Sequence, residues 1–268
     1  MSVVLKEHEW ASEMIKEKCL GKKPSETLQR VARYYLDEGY SASETRNMLD
    51  IFLLQCDSLA SIPKWSLTLD RAVKHARKHR AICIDSIKVT RAEMRRIEAL
   101  EGKQIKRLAF TLLCLSKYWM AVNEKCDGWV SNQDNEIMAM ANIKTSVKRQ
   151  SFMYSVLRDE GMLQFSKRVD NTNVRVLFAE EGETALEITD FRNLGYQYLM
   201  YVGEPYFECQ NCGLVTRYSN PSSGRRQKYC KSCAVEVNIK NSVSRAMVSP
   251  INIEKTISFS QSGTPLEK

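Results

Sequence analysis

Four cysteines in two pairs, Cys209-Gln210-Asn211-Cys212 and Cys230-Lys231-Ser232-Cys233, are the residues of this chain best suited to chemistry. Seventeen residues separate the pairs, inside the window for a tetrathiolate zinc site. Each Cys-x-x-Cys folds into a knuckle that offers two thiolates, and zinc takes four soft ligands at the corners of a tetrahedron. Gly213 follows the first pair, where such turns often need a positive φ. The spacing predicts one structural Zn2+ held by Cys209, Cys212, Cys230 and Cys233. A thioredoxin-type redox pair is the competing use, but it needs one motif in a different fold. With four thiolates, no position stays open for water, so catalytic zinc is not expected. The chain has nine cysteines. The other five (Cys19, Cys56, Cys83, Cys114 and Cys126) show no framework spacing, which argues against a secreted disulfide scaffold. Cys56 and Cys114 lie in apolar helical context and read as small buried hydrophobes.

A second constellation is cationic. Lys148, Arg149, Gln150 and Ser151 stand near the start of a helix expected over residues 146–160, facing outward, while Val147, Met153, Tyr154 and Leu157 face inward. Arg and Gln have the donor geometry for guanine or adenine edges, and Lys and Ser suit phosphates. A following hairpin brings Lys167, Arg168 and Arg175, with Asn171 and Thr172 at its tip. Arg225, Arg226 and Lys228 lie between the cysteine pairs on a glycine-hinged loop that also suits phosphate contacts; docking to a protein is the other use of such a surface. The densest basic run is Arg71, Lys74, His75, Arg77, Lys78, His79 and Arg80. It is either a phosphate-contacting face or a solvated helix. His75 and His79 are one turn apart, a spacing that binds zinc, but no carboxylate or thiol stands near in sequence, so no metal is expected there.

Whole-chain composition supports a polyanionic partner. Lys and Arg total 40 against 32 acidic residues, a formal net charge of +8. At 268 residues the chain can build two or three small cores. Scarce glycine and proline favour helix. No apolar run approaches bilayer-spanning length, and the first ten residues lack signal-peptide shape, so a cytoplasmic protein with no membrane partner is expected. No compact carboxylate cluster with a lysine, phosphate-cradling glycine loop or Ser/His/Asp arrangement is present, so the expectation is non-catalytic. Asp134 and Glu136 read as helix N-terminal charges favoured by the macrodipole.

Those sites must be held by the following elements. Helices are expected over residues 7–19, from Ser25 to Gly39, from the capping box Ser41-Ala42-Ser43-Glu44 to about Cys56, over 67–79, and from the box Thr90-Arg91-Ala92-Glu93 over 91–100. Next come helices over 106–122, 134–141 and 146–160, the last stopped by Gly161. Residues 164–169 and 174–178 alternate apolar with polar around Asp170-Asn171-Thr172-Asn173, a hairpin pattern. Residues 123–133 form a long connection. Ala185–Ile188 reads as a short strand, and residues 190–198 as a short helix or an extended connector. Leu214–Tyr218 is expected to pair with Lys228–Tyr229, and residues 234–246 to continue as a helix.

The run of helix, helix, turn, helix, Gly161-Met162-Leu163 and basic hairpin resembles a winged helix-turn-helix. The resemblance implies that the third helix enters a DNA major groove while the hairpin follows the backbone; winged domains also serve as protein-binding modules. The cysteine module resembles a zinc ribbon. The stretch from Glu38-Gly39-Tyr40-Ser41 to Lys78 is similar to the helical domain that follows the catalytic domain in phage and plasmid primases, which implies mobile-element replication. The expected organisation is mainly α with small β elements: a helical domain over 1–101, a winged helix over 102–180, a linker over 181–204, a zinc module over 205–247 and a flexible tail over 248–268. The expected function is double-stranded DNA binding in a phage or mobile element, as replication organiser or transcription regulator. The alternative is a protein-binding phage factor acting on a host nucleic-acid-processing complex.

Overall fold

In the computed structural model, described over residues 3–167, 173–219 and 226–248, the protein is mainly helical with small antiparallel sheets. Helices α1 (Glu7–Glu17), α2 (Pro24–Asp37), α3 (Ala42–Cys56) and α4 (Ile62–Ala76) close one core. Leu28, Val31, Leu49, Phe52, Leu53 and Leu69 fill it. The Ser41 hydroxyl accepts from the Glu44 N–H while the Glu44 carboxylate accepts from the Ser41 N–H, so the expected capping box forms. Helix α4 starts five residues earlier than the sequence pattern suggests, because Pro63 occupies its first turn, where a missing N–H costs nothing.

A second, larger core is built around α6 (Lys103–Val122), whose middle from Leu108 to Ser116 is buried all round. Strand β1 (Ile87–Thr90) and α5 (Arg91–Ala99) precede it; β2 (Trp129–Val130), α7 (Asp134–Met140), α8 (Val147–Asp159), β3 (Leu163–Phe165) and β4 (Val174–Val176) follow. The sheet order is β2-β4-β3, all antiparallel, with Val130 opposite Val174 and Phe165 opposite Val174 from the other side. Thus the long connection over 123–133 supplies an edge strand. Leu108, Leu112, Ile137, Met153, Tyr154 and Leu157 meet in this core as expected. The turn of the hairpin lies outside the described residues.

Residues 181–204, expected as a linker, carry β5 (Thr184–Ile188) and α9 (Leu194–Tyr201). β5 pairs with β1, and Ile188, Leu194, Tyr198 and Leu199 are buried in the α6 core. Helix α9 lies so close to the end of α7 that a Cβ on Gly195 would sit 2.0 Å from the Ala141 carbonyl oxygen. Only a residue without a side chain permits that approach.

The last unit holds β6 (Tyr206–Glu208), β7 (Val215–Arg217) and α10 (Lys231–Val248). β7 pairs with β6, not with Lys228–Tyr229. The reason is local packing: Phe207 lies against Tyr218 at 4.7 Å, while the Lys228 carbonyl is taken by the Gln210 N–H beside the first cysteine pair. Of the tail expected over 248–268, Val248 is the last residue of α10, and residues 249–268 lie outside the described residues. No helix among the described residues is long and apolar enough to cross a membrane.

Candidate metal centre and cationic helix face

The four predicted cysteines converge. Cys209 closes β6, Cys212 lies on the tight turn that Gly213 completes at φ 68°, and Cys230 and Cys233 bracket the first turn of α10. Their sulfurs all lie within 4.8 Å of one another, and the Cys212 and Cys230 Sγ atoms are 3.8 Å apart. A tetrahedron with metal–sulfur bonds of roughly 2.3 Å has edges of about 3.8 Å, so the cage is the right size for a tetrathiolate ion. The surrounding donors suit thiolates: the Cys230 N–H points at Cys209 Sγ at 3.3 Å, and Asn211 Nδ2 at Cys233 Sγ at 3.3 Å. Burial opposes ionisation of Cys209, yet the N–H groups of Cys230, Cys212 and Asn211 outweigh it and bring that thiol down to about 6. Cys233 is pushed up to about 12: the Asn211 donor favours its thiolate, but burial and the three neighbouring thiols prevail. A cation among four sulfurs relieves that repulsion. The cage can therefore hold a metal ion.

Polar contacts clamp this cage to the α6 core. Arg192 Nη2 donates to the Cys212 carbonyl at 2.7 Å, and Asn193 Nδ2 to the Val215 carbonyl at 3.0 Å. Asn193 Oδ1 accepts in turn from Asn142 Nδ2 at 2.8 Å, in the turn between α7 and α8. Both asparagines are left-handed, each with φ 55°.

The face of α8 presents the predicted cations with changes. Ser146 is the N-cap, its hydroxyl accepting from the Arg149 N–H. Lys148, Arg149 and Ser151 are exposed, as is Lys167, two residues beyond β3. Arg149 lies over the Phe152 ring at 4.7 Å. Gln150 is half-buried, with Nε2 directed at the Thr145 carbonyl at 3.4 Å, and the Ser151 hydroxyl bonds back to the Val147 carbonyl at 3.1 Å. Val147, expected inside, is 75 % exposed, because the N-terminal turn of α8 projects beyond the core that holds Met153 and Leu157. Arg175, expected on the wing surface, is half-buried and paired with Asp127, so its charge is already matched. Arg226 and Lys228 are exposed beside the cage; Arg168 and Arg225, with Asn171 and Thr172, lie outside the described residues.

Elsewhere, Cys114 is fully buried as expected, and burial pushes its thiol far up. Cys56 is only half-buried. Glu136, near the start of α7, accepts from Lys23 ahead of α2, joining the two cores. Sequence reasoning missed the exposed Phe152, whose position two residues from the buried Tyr154 was the available signal. No family model, curated protein or solved structure matches this chain, so the chemistry of these residues stands on their geometry alone.

Proposed function

We propose that this protein is a non-catalytic, double-stranded DNA-binding protein in which α8 acts as the recognition helix of a winged helix and the four-cysteine unit is a zinc ribbon. The observation that carries the reading is the free N-terminal half of α8. Lys148, Arg149 and Ser151 are exposed on a helix whose opposite side is fixed by Met153 and Leu157. A rigid cationic helix start of that kind fits a major groove. The element order of α6, β2, α7, α8, β3 and β4, with β2 on the sheet edge, supports the winged-helix reading. The +8 net charge favours a polyanion, and Arg226 and Lys228 extend the cationic surface to the metal unit. Zinc is the metal that four thiolates in a closed tetrahedral site best suit. We place the protein in phage or mobile-element replication or transcription on the resemblance of its N-terminal helices to primase-associated domains.

The experiment is duplex binding across a salt series. Lys148→Ala/Arg149→Ala removes groove contacts and abolishes sequence preference. Arg226→Ala/Lys228→Ala weakens all duplexes alike and reduces the log–log salt slope by about 0.9 per lost phosphate contact. A wild-type chain that shifts no duplex at low salt sinks the reading. A second function has its own support: Val147 and Phe152 are 75 % and 50 % exposed on the same helix. Two apolar side chains beside Arg149 suit a protein partner, such as a host nucleic-acid-processing complex. Co-purification with a defined complex that Val147→Ser/Phe152→Ser abolishes, without duplex binding, identifies that role.

A further inference from the structure

The basic run at the end of α4 has a use that DNA binding does not absorb. After α4 the chain turns back, and residues 82–84 run beside Leu5–Glu7: the Glu7 N–H donates to the Ile82 carbonyl and the Ile84 N–H to the Leu5 carbonyl. This return forms a cleft of about 510 Å³ between α2, the end of α4 and the last turn of α6. That volume lies within the range of small-molecule sites, roughly 300–1,000 Å³.

One side of the cleft is cationic. Arg30, Arg33, Lys78 and Arg80 face Glu7 and Glu26 in its lining, an excess of two positive charges before either histidine takes up a proton. The floor is a buried ion cluster. One Glu7 oxygen accepts from Arg30 Nε at 3.0 Å and from Arg33 Nη2 at 2.8 Å, and the other accepts the Ile82 N–H at 3.0 Å. Arg33 is only 8 % exposed, and its Nε is buried without a hydrogen-bond partner among the described residues. Its Nη1 faces the ring nitrogen of His75 at 3.4 Å. The other side of the cleft is apolar, made by Ile84, Trp119 and Val122. Trp119 is held in place by a 2.7 Å bond from Nε1 to Asn132 Oδ1. His75 and His79 add two more rings, 4.4 Å apart.

From this combination we infer that the cleft is a binding site for a free nucleoside monophosphate. A phosphate matches the cationic excess of the lining and its exposed Lys78 and Arg80 rim, and a flat base matches the Trp119 wall. A fully inorganic anion leaves the apolar wall unused.

Titration calorimetry of the full chain with AMP, GMP, CMP and UMP in turn, alongside adenosine and inorganic phosphate, tests this. At least one monophosphate is expected to bind one per chain, at least tenfold more tightly than adenosine or phosphate. Arg33 anchors Glu7, so the variant is Lys78→Glu/Arg80→Glu on the exposed rim, which keeps the thermal midpoint and lowers affinity at least tenfold. Three outcomes overturn the proposal. One is no saturation by any monophosphate up to about 5 mM, weaker than about −3 kcal/mol of binding. Another is unchanged affinity in the rim variant. The last is binding of a short oligonucleotide alone, which makes the cleft a strand groove.

Discussion

Replacing Gly195 by alanine should loosen the joint between the α6 core and the four-cysteine unit. The new Cβ would stand 2.0 Å from the Ala141 carbonyl oxygen and 2.5 Å from its carbon, where real Cβ atoms keep at least 3.0 Å. Both obstructing atoms are backbone, so α9 and the end of α7 must separate by about 1 Å. That movement strains the Asn142–Asn193 bond at 2.8 Å and the Tyr196 N–H to Asn142 Oδ1 bond at 3.2 Å. Overpacking of this kind costs about 1–3 kcal/mol, and each weakened hydrogen bond about 1 kcal/mol. Alanine returns about 1 kcal/mol through helix propensity. The net loss is about 3 kcal/mol, or a fall in melting temperature of roughly 5 °C for a chain of this size. Urea denaturation followed by tryptophan fluorescence measures it. Gly182→Ala is the control, because its Cβ would meet Thr90 at an ordinary 3.8 Å, and it should stay within about 0.5 kcal/mol of wild type. If Gly195→Ala matches that control, the close approach of α9 to α7 is refuted.

Two further outcomes are expected. Purified protein should carry one zinc per chain by elemental analysis, and Cys209→Ser or a strong chelator should release it and melt the β6–β7 hairpin. Structural zinc in small modules contributes apparent binding energies of about 10–16 kcal/mol, so this loss should leave the cysteines reactive to thiol reagents. The second is a pH effect at His75. Burial first, then His79 and Arg33, hold its pKa below the ordinary histidine value, with Glu7 opposing. A group with a lowered folded pKa binds fewer protons when folded, so stability is full above the unfolded pKa near 6.5 and falls as pH drops below it. Denaturant midpoints from pH 7.5 to 5 should therefore decline, and His75→Gln should flatten the decline; an equal slope in both proteins refutes the assignment.

Features set by adjacent residues were legible in the sequence. The Cys-x-x-Cys pairs and Gly213 foretold the cage, and the two capping boxes fixed the starts of α3 and α5. Gly161 ends α8 with φ 67°. What escaped depends on partners distant in sequence. β2 has two residues, too few to show alternation, and exists because Val130 finds Val174. β1 was hidden for the same reason, since its partner β5 lies about a hundred residues away. Glu93 was readable as a capping residue, but not as the buried partner of Lys117 at 2.7 Å or the acceptor for the Glu180 N–H. Arg175 carried a charge that the sequence assigned to the surface, while Asp127, 48 positions earlier, had claimed it. Val147 failed for a geometric reason: α8 extends past its core, so helical periodicity no longer predicts burial in its first turn.

The joint at Asn142 and Asn193 bears on how the two proposed DNA-contacting surfaces would work together. Asn142 sits in the turn that sets the direction of α8, and Asn193 touches both that turn and the Val215 carbonyl of the metal unit. Two independent grips on a flexible tether gain affinity only through effective concentration. A clamp through half-buried asparagines and a close backbone contact at Gly195 instead fixes the spacing between α8 and the cage, so a second contact would cost little further ordering. If both surfaces bind DNA as proposed, rigid spacing would let them reach phosphates at one separation along a duplex. A four-cysteine unit that served only as a solubility cap would have no use for that clamp. A unit that must hold Arg226 and Lys228 at a set distance from Lys148 and Arg149 does.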